Sequence, residues 1–222
     1  MSGFDFHRAS QVRCTKNEGT LMKIALFGAS GMIGSRVVAE AASRGIEVTA
    51  ITRSGTEVAG ATRSLTGDMA DAELGARMAA DHDVIVSTTG PSRTGGDHQE
   101  WLDALSTLAK ASGETRLFVV GGAGSLFAGD TMLKDTEGFP SAYKAESETG
   151  TKALELLRAA NPSPWTLISP APEIAPGERT GSYNVELEVP AGDSISAEDF
   201  AVAMVDEIAD PKHIDARFTV AN

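Results

Sequence analysis

The chain has 222 residues, 41% of them hydrophobic and 23% charged, which is ordinary globular composition and enough length to bury a core without disulfides or metal. Its formal net charge of −12 argues against nucleic acid or an anionic membrane as partner, since both require a positive surface. Cys14 is the only cysteine, so no internal disulfide forms, which fits a reducing cytoplasm.

Residues 1–21 mix charge, polar side chains and glycine without periodicity. They read as an extension outside the fold, with Phe4 and Phe6 the one argument for docking, and residues 22–222 read as a single domain. The N-terminus lacks the apolar core of a signal peptide, and no stretch approaches the roughly 18 apolar residues of a membrane span. Lys23 to Phe27 is a short apolar run ended by glycine, the pattern of a buried strand. Ile33, Val37 and Ala41 then recur every four residues, the stripe of a helix. The stretch "GASGMIG" between them puts Gly28, Gly31 and Gly34 in a strand-to-helix turn, completed by Ser30, Met32 and Ile33. The first glycine allows the tight turn, the second lets a phosphate approach the backbone, and the third lets helix pack on strand. Free N–H groups at the helix start would face that phosphate, with the helix dipole adding attraction.

After the stop signal Arg44-Gly45, Glu47 to Thr52 forms a second strand and completes a βαβ unit of about 30 residues. An acid about 20 residues beyond the glycines normally binds the ribose hydroxyl of NAD. Arg53 and Ser54 stand there instead, and no acid occurs between Val48 and Thr56. A 2′-phosphate would meet a cation and a hydroxyl, so NADP(H) is expected over NAD(H).

Thr62 to Asp68 suits a short third strand, followed by a helix near Ala70 to Ala80. Asp83 to Ser87 is a fourth strand, ending in the loop Thr88-Thr89-Gly90-Pro91, and the helix from His98 to Ala111 buries Trp101, Leu105 and Leu108. Arg116 to Val120 is a fifth strand and runs into Gly121-Gly122-Ala123-Gly124. Lys144 to Ala160 is helical, and Trp165 to Ser169 is the sixth strand. A proline- and glycine-rich loop covers Pro170 to Gly181, and Tyr183 to Val189 alternates as a half-buried strand. Ser196 with Asp199 resembles a capping box for the helix Ala197 to Ala209, and Arg217 to Val220 closes the chain as a strand. Strands alternating with helices specify an α/β fold: a Rossmann-type, doubly wound parallel sheet with helices on both faces and a small C-terminal segment on the substrate side. The ligand then lies beyond the carboxyl ends of the strands, where the loops after strands one, four and five converge. His7, His82, His98 and His213 are scattered without metal-ligand spacing and read as solvated or locally bonded, so no metal is expected.

From Met22 to Asn222 the chain resembles short-chain dehydrogenases/reductases of the atypical type. The resemblance rests on "GASGMIG" with Arg53, "GDMAD", "VVGGAGSL", "WTLISPAPEIAPGERTG" and "ISAEDFA". Together these segments are similar to the NAD(P)H-dependent flavin reductases, a group that includes the biliverdin reductase B-like enzymes. The resemblance implies that Asp68 and Met69 lie against the adenine, that Thr88, Thr89 and Gly90 line the ribose, and that Gly121, Gly122, Pro170 and Ala171 line the nicotinamide.

The chain also departs from that group's wider relatives. Short-chain dehydrogenases usually carry Tyr-x-x-x-Lys, in which the lysine lowers the tyrosine pKa and the tyrosine moves a proton to the substrate oxygen. Of the two tyrosines here, Tyr143 is followed four residues later by Ser147 and Tyr183 by Leu187. The partner serine is replaced by Ala123. Tyr143 and Lys144 are adjacent, so on a helix they point about 100° apart and read as surface residues. A carbonyl accepting hydride becomes an alkoxide and needs a positioned acid, whereas a flavin or quinone spreads the charge over a conjugated ring. The expected reaction is therefore hydride transfer to a small aromatic acceptor, with flavin a substrate and not a bound prosthetic group, in a monomer or weak homodimer. Ser125, Glu173 and Tyr143 are the candidate proton donors, each with a plain reading as a loop, cap or surface residue. The alternative is a non-catalytic, NADP-sensing regulator of the NmrA-like type. A nucleotide-sugar epimerase ranks last, because its chemistry needs the tyrosine.

Overall fold

The apolar run Lys23–Phe27 forms β1, inside an eight-stranded sheet, in the computed structural model of the chain, which describes residues 15–16, 20–159 and 163–222. The other strands are β2 (Glu47–Thr52), β3 (Arg63–Thr66), β4 (Val84–Ser87), β5 (Arg116–Val120), β6 (Trp165–Pro170), β7 (Asn184–Glu186) and β8 (Ala216–Ala221). Their spatial order is β7-β8-β6-β5-β4-β1-β2-β3, all parallel except the β7–β8 pair. The order reverses at β1, which has β2 on one side and β4 on the other. This is the Rossmann-type switch point, and it opens a crevice at the carboxyl ends of those strands.

Among the described residues five α-helices cover the sheet: α1 (Met32–Ser43), α2 (Ala72–Asp81), α3 (His98–Ser112), α4 (Lys144–Arg158) and α5 (Ala197–Ala209). Side chains along a strand alternate between faces, which divides β1 cleanly. Ile24 and Leu26 join Val37 and Val38 of α1 and Phe200 and Met204 of α5. Ala25 and Phe27 join Leu74 of α2, Leu105 of α3 and Leu154 of α4. Both faces are thus buried, and the central strands β1 and β4 are almost wholly apolar for that reason.

Side-chain caps set the helix starts. Asp71 accepts from Leu74 N at 3.0 Å, so α2 begins at Ala72, two residues after the expected start near Ala70. Asp97 caps α3 through Gln99 N, and Ser196 caps α5 through Asp199 N. The capping box expected at α5 is only half formed. The buried Asp199 carboxylate does not return to Ser196 N, which is bound by Asn222 Oδ1. It accepts instead from Thr180 Oγ1, Gly181 N and Asn222 Nδ2, and so clamps the 180–182 loop and the C-terminus onto α5.

The expected half-buried strand Tyr183 to Val189 is a second correction. Only Asn184–Glu186 pair, as an exposed edge, and Val185, Leu187 and Val189 face outward. Two small ladders were not foreseen, one joining Glu173–Ala175 to Ser194–Ser196 and one joining Phe127–Ala128 to Thr131–Met132. Within the expected extension, Thr15–Lys16 pair with Thr20–Leu21. Residues 1–14, with Phe4, Phe6, His7 and Cys14, lie outside the described residues, as do residues 17–19 and Ala160, the expected end of α4.

Candidate functional site

At the crevice the three glycines of the β1–α1 turn have three different physical causes. Gly28 sits at φ +82°, in the left-handed region, and a Cβ there would stand 2.9 Å from Thr88 Oγ1. Gly34 is needed for close packing, since its Cβ would lie 2.2 Å from the Gly28 carbonyl oxygen. Gly31 has an ordinary φ of −72° and is exposed, with Gly28 O at 3.3 Å the only neighbour of a built Cβ. Gly31 is also the N-cap of α1, and no side chain caps that helix. The first-turn N–H groups of α1 therefore face the crevice without a side-chain acceptor, which suits an anion. At the end of β2, Arg53 and Ser54 are exposed. The Arg53 guanidinium forms no ion pair or hydrogen bond among the described residues, whereas Ser54 Oγ pairs with Thr56 Oγ1 at 2.6 Å.

The loop after β4 is built differently from expectation. Thr88 Oγ1 donates back to the carbonyl oxygens of Phe27 and Gly28, 3.1 Å from each. Thr89 Oγ1 accepts from Trp101 Nε1 at 3.0 Å, pairs with Ser87 Oγ and lies 3.2 Å from Met69 Sδ. Both hydroxyls are thus turned into the protein, which leaves Gly90 and the loop backbone to face outward. Met69 is likewise buried in that cluster, so Asp68, exposed and bonded to Ala70 N, presents the outer surface. Among the residues expected at the nicotinamide, Gly122 is open, with nothing within 4 Å of a built Cβ. Gly121 is required by packing, because a Cβ would meet Leu167 at 2.6 Å, and Pro170 and Ala171 are buried. Several side chains that the resemblance placed against the ligand are thus also committed to contacts within the protein.

The three candidate proton donors do not converge. The Ser125 hydroxyl is buried and accepts from Arg217 Nη1 at 2.8 Å. Arg217 is itself buried and ion-paired with Glu188; burial pushes its pKa down, and Glu188 opposes that shift. Ser169 Oγ, Thr219 Oγ1 and Arg217 Nε are the buried side-chain polar atoms without a partner among the described residues. Glu173 is exposed in its short ladder, and Tyr143 is 59% exposed on the 3-10 turn before α4. Lys144 is held by Lys134 O and Asp135. Tyr183 donates to Asp206 Oδ2 at 2.6 Å, and burial followed by that bond raises its pKa far above the ordinary phenol value. His82, His98 and His213 are bonded locally, to Met78 and Thr49, to Thr149 and Ser92, and to Glu207. No group of three or more potential metal ligands occurs among the described residues. A polar cleft of about 270 Å³, lined by Lys23, Glu47, Arg63 and His82 among others, lies at the amino ends of β1 to β3, opposite the switch-point crevice.

Residues 28–211 match the family described as NAD(P)H-binding. The chain belongs to that family. The NAD(P)H-binding chain is 37% identical over 212 residues to the uncharacterized protein YwnB of Bacillus subtilis (strain 168), covering 90% of this chain and 99% of that one. A Burkholderia pseudomallei protein provisionally described as exported is 40% identical, with a TM-score of 0.80 over 91% of this chain and all of that one. A Streptococcus pneumoniae protein provisionally described as an NADH-flavin reductase is 32% identical, with a TM-score of 0.79, covering 90% of this chain and 99% of that one. No described helix of the NAD(P)H-binding chain is long and apolar enough to cross a membrane.

What the sequence reading missed is the first turn of α4. Glu146 there takes a two-pronged ion pair from Arg93 in the loop after β4, and Ser147 packs against Gly124 in the loop after β5. The one sequence signal was the small-residue pairing itself, Gly124 with a serine on the following helix, and it has no fixed spacing.

Proposed function

We propose that the chain is an NADPH-dependent reductase of the atypical short-chain type, passing hydride to a flavin or quinone-like acceptor without a tyrosine acid. The observation that carries this reading is the Arg53 guanidinium, unpaired among the described residues, at the end of β2, together with the start of α1, where no described side chain caps the helix. The turn fits a dinucleotide: Gly31 leaves open the space that a side chain would fill, and the α1 amides supply donors for a pyrophosphate. Arg53, with Ser54, would hold the 2′-phosphate, which an acid in that place would repel. Asp68 would border the adenine, Gly90 the ribose and Gly122 the nicotinamide. Bound there, the reduced nicotinamide supplies a hydride.

The chain's own groups favour an acceptor that tolerates a weak proton source. Tyr183 is a locked phenol bound to Asp206, and Lys144 is occupied by Asp135 and the Lys134 carbonyl oxygen. A flavin or quinone delocalises the arriving charge, so water suffices as the proton donor. The similarity to the Streptococcus pneumoniae protein supports the flavin class. A cytoplasmic setting belongs to this reading and is checked by fractionation, since the Burkholderia relative is described as exported.

The test is oxidation of NADPH and NADH, followed by nicotinamide absorbance, with FMN, riboflavin, a quinone or no acceptor. Turnover with a flavin or quinone and a preference for NADPH is the expected result. Tight NADPH binding without turnover on any acceptor would replace this reading with that of an NADP-sensing regulator.

A further inference from the structure

The first turn of α4 lies between two loops that leave the carboxyl end of the sheet. On one side Arg93, in the loop after β4, grips Glu146 at 2.6 and 3.0 Å, and His98 Nδ1 meets Thr149 Oγ1 at 2.8 Å. On the other side the loop after β5 comes so close that a Cβ on Gly124 would stand 2.3 Å from Ser147 Oγ. The Ser147 hydroxyl thus fills the space a side chain at 124 would take.

Among the described residues that hydroxyl has no hydrogen-bond partner. Serine and threonine inside a helix commonly donate to the carbonyl one turn back, and in this helix Thr149 and Thr151 both do so at 2.9 Å. The Ser147 hydroxyl makes no such bond, and no other, among the described residues, although the Ser147 carbonyl oxygen accepts from Thr151. It is half-buried, and among the described residues its donor and its lone pairs are both free.

We propose that Ser147 hydrogen-bonds the carbonyl oxygen or ring nitrogen of the acceptor that gains charge when hydride arrives. The helix thereby supplies a hydroxyl that the loop after β5, with Ala123 and Gly124, does not. This inference rests on the reductase reading above. In the balanced reaction the acceptor takes hydride from NADPH and a proton from water, giving NADP and the reduced acceptor. Ser147 keeps its own proton and lowers the barrier by holding the charged atom.

The experiment uses Ser147→Ala, Ser147→Thr and Gly124→Ala in the full chain, with two readouts: riboflavin binding by fluorescence in the presence of NADP, and steady-state reduction of riboflavin and a benzoquinone. Losing one hydrogen bond to the acceptor should lower kcat/KM in Ser147→Ala about three- to tenfold and weaken riboflavin binding, with NADPH affinity unchanged. Ser147→Thr keeps the hydroxyl and should recover most of the loss, whereas Gly124→Ala pushes Ser147 aside and should behave like the alanine variant. If Ser147→Ala matches the wild type within about twofold in both readouts, the assignment of Ser147 is overturned while the reductase reading stands. A parallel loss of NADPH affinity also overturns it, as a general disturbance of the site. If the wild type neither binds nor reduces either acceptor, the reductase reading itself fails and takes this inference with it.

Discussion

The Thr88 hydroxyl lies 3.1 Å from the Gly28 carbonyl oxygen and donates to it, sharing the bond with the Phe27 carbonyl oxygen. This contact fixes the loop after β4 to the β1–α1 turn, the two loops nearest the switch point. The Gly28 carbonyl oxygen also accepts from Gly31 N at 3.0 Å, so Thr88 adds a second donor that ties the turn to the neighbouring loop. Thr88→Val keeps the shape and removes the bond, at a cost of about 1 kcal/mol in urea unfolding. It should also weaken NADPH binding, because the loops would no longer be held in register. Unchanged stability and unchanged affinity would show that the tether is incidental.

Arg53→Ala separates the two nucleotides. Removing a charge-assisted contact to a 2′-phosphate should cost NADPH about 1.5–3 kcal/mol of binding and NADH much less. Titration of both nucleotides decides the matter, and equal losses would remove Arg53 from the site.

Gly31 and Gly34 should fail in different ways. A side chain at Gly31 projects into the crevice with a normal φ, so Gly31→Val should stay folded by circular dichroism yet lose NADPH binding. A Cβ at Gly34 would strike the Gly28 carbonyl oxygen and the Ala29 backbone, so Gly34→Ala should lower the melting temperature first. A Gly31→Val protein that binds NADPH normally would mean that the turn is not the phosphate site.

Acid stability should depend on Glu40. Burial works to raise its pKa, but hydrogen bonds and charge from Arg179 and Arg44 outweigh that and hold it below the ordinary 4.5. A carboxyl whose pKa is lower when folded contributes stability above its unfolded pKa and loses it as pH falls through the folded value. The urea midpoint should therefore fall below pH 4.5 more steeply in the wild type than in Glu40→Gln. Parallel slopes would show that the ion pairs around Glu40 do not differ between folded and unfolded states.

Tyr143 is exposed on a 3-10 turn, and Lys144 is engaged elsewhere, so Tyr143→Phe should keep most of the reductase turnover. General acid catalysis is typically worth 10²–10⁴ in rate, roughly the loss to look for. Stereospecifically deuterated NADPH should lose one label selectively. A Tyr143→Phe enzyme slowed a thousandfold would make Tyr143 the acid after all.

The amino-acid sequence by itself determined the elements whose cause is local. An apolar run ended by Gly28 and followed by the Ile33, Val37 and Ala41 stripe can only be a strand, a turn and a helix, because backbone geometry repeats every two or every 3.6 residues. The place of Arg53 was legible for the same reason, as it is counted along one βαβ unit. The sequence did not disclose which polar groups face the crevice and which are spent inside. Thr88, Thr89 and Met69 looked like ligand contacts, yet their partners are Gly28, Trp101 and Ser87, brought together by the order of strands β1 and β4. Asp199 looked like the return half of a capping box, but Asn222, at the end of the chain, holds Ser196 N. Ser147 registered only as a missing lysine until α4 settled against Gly124. A buried polar group takes whatever partner the packed elements bring within about 3 Å, and only the tertiary structure decides which that is.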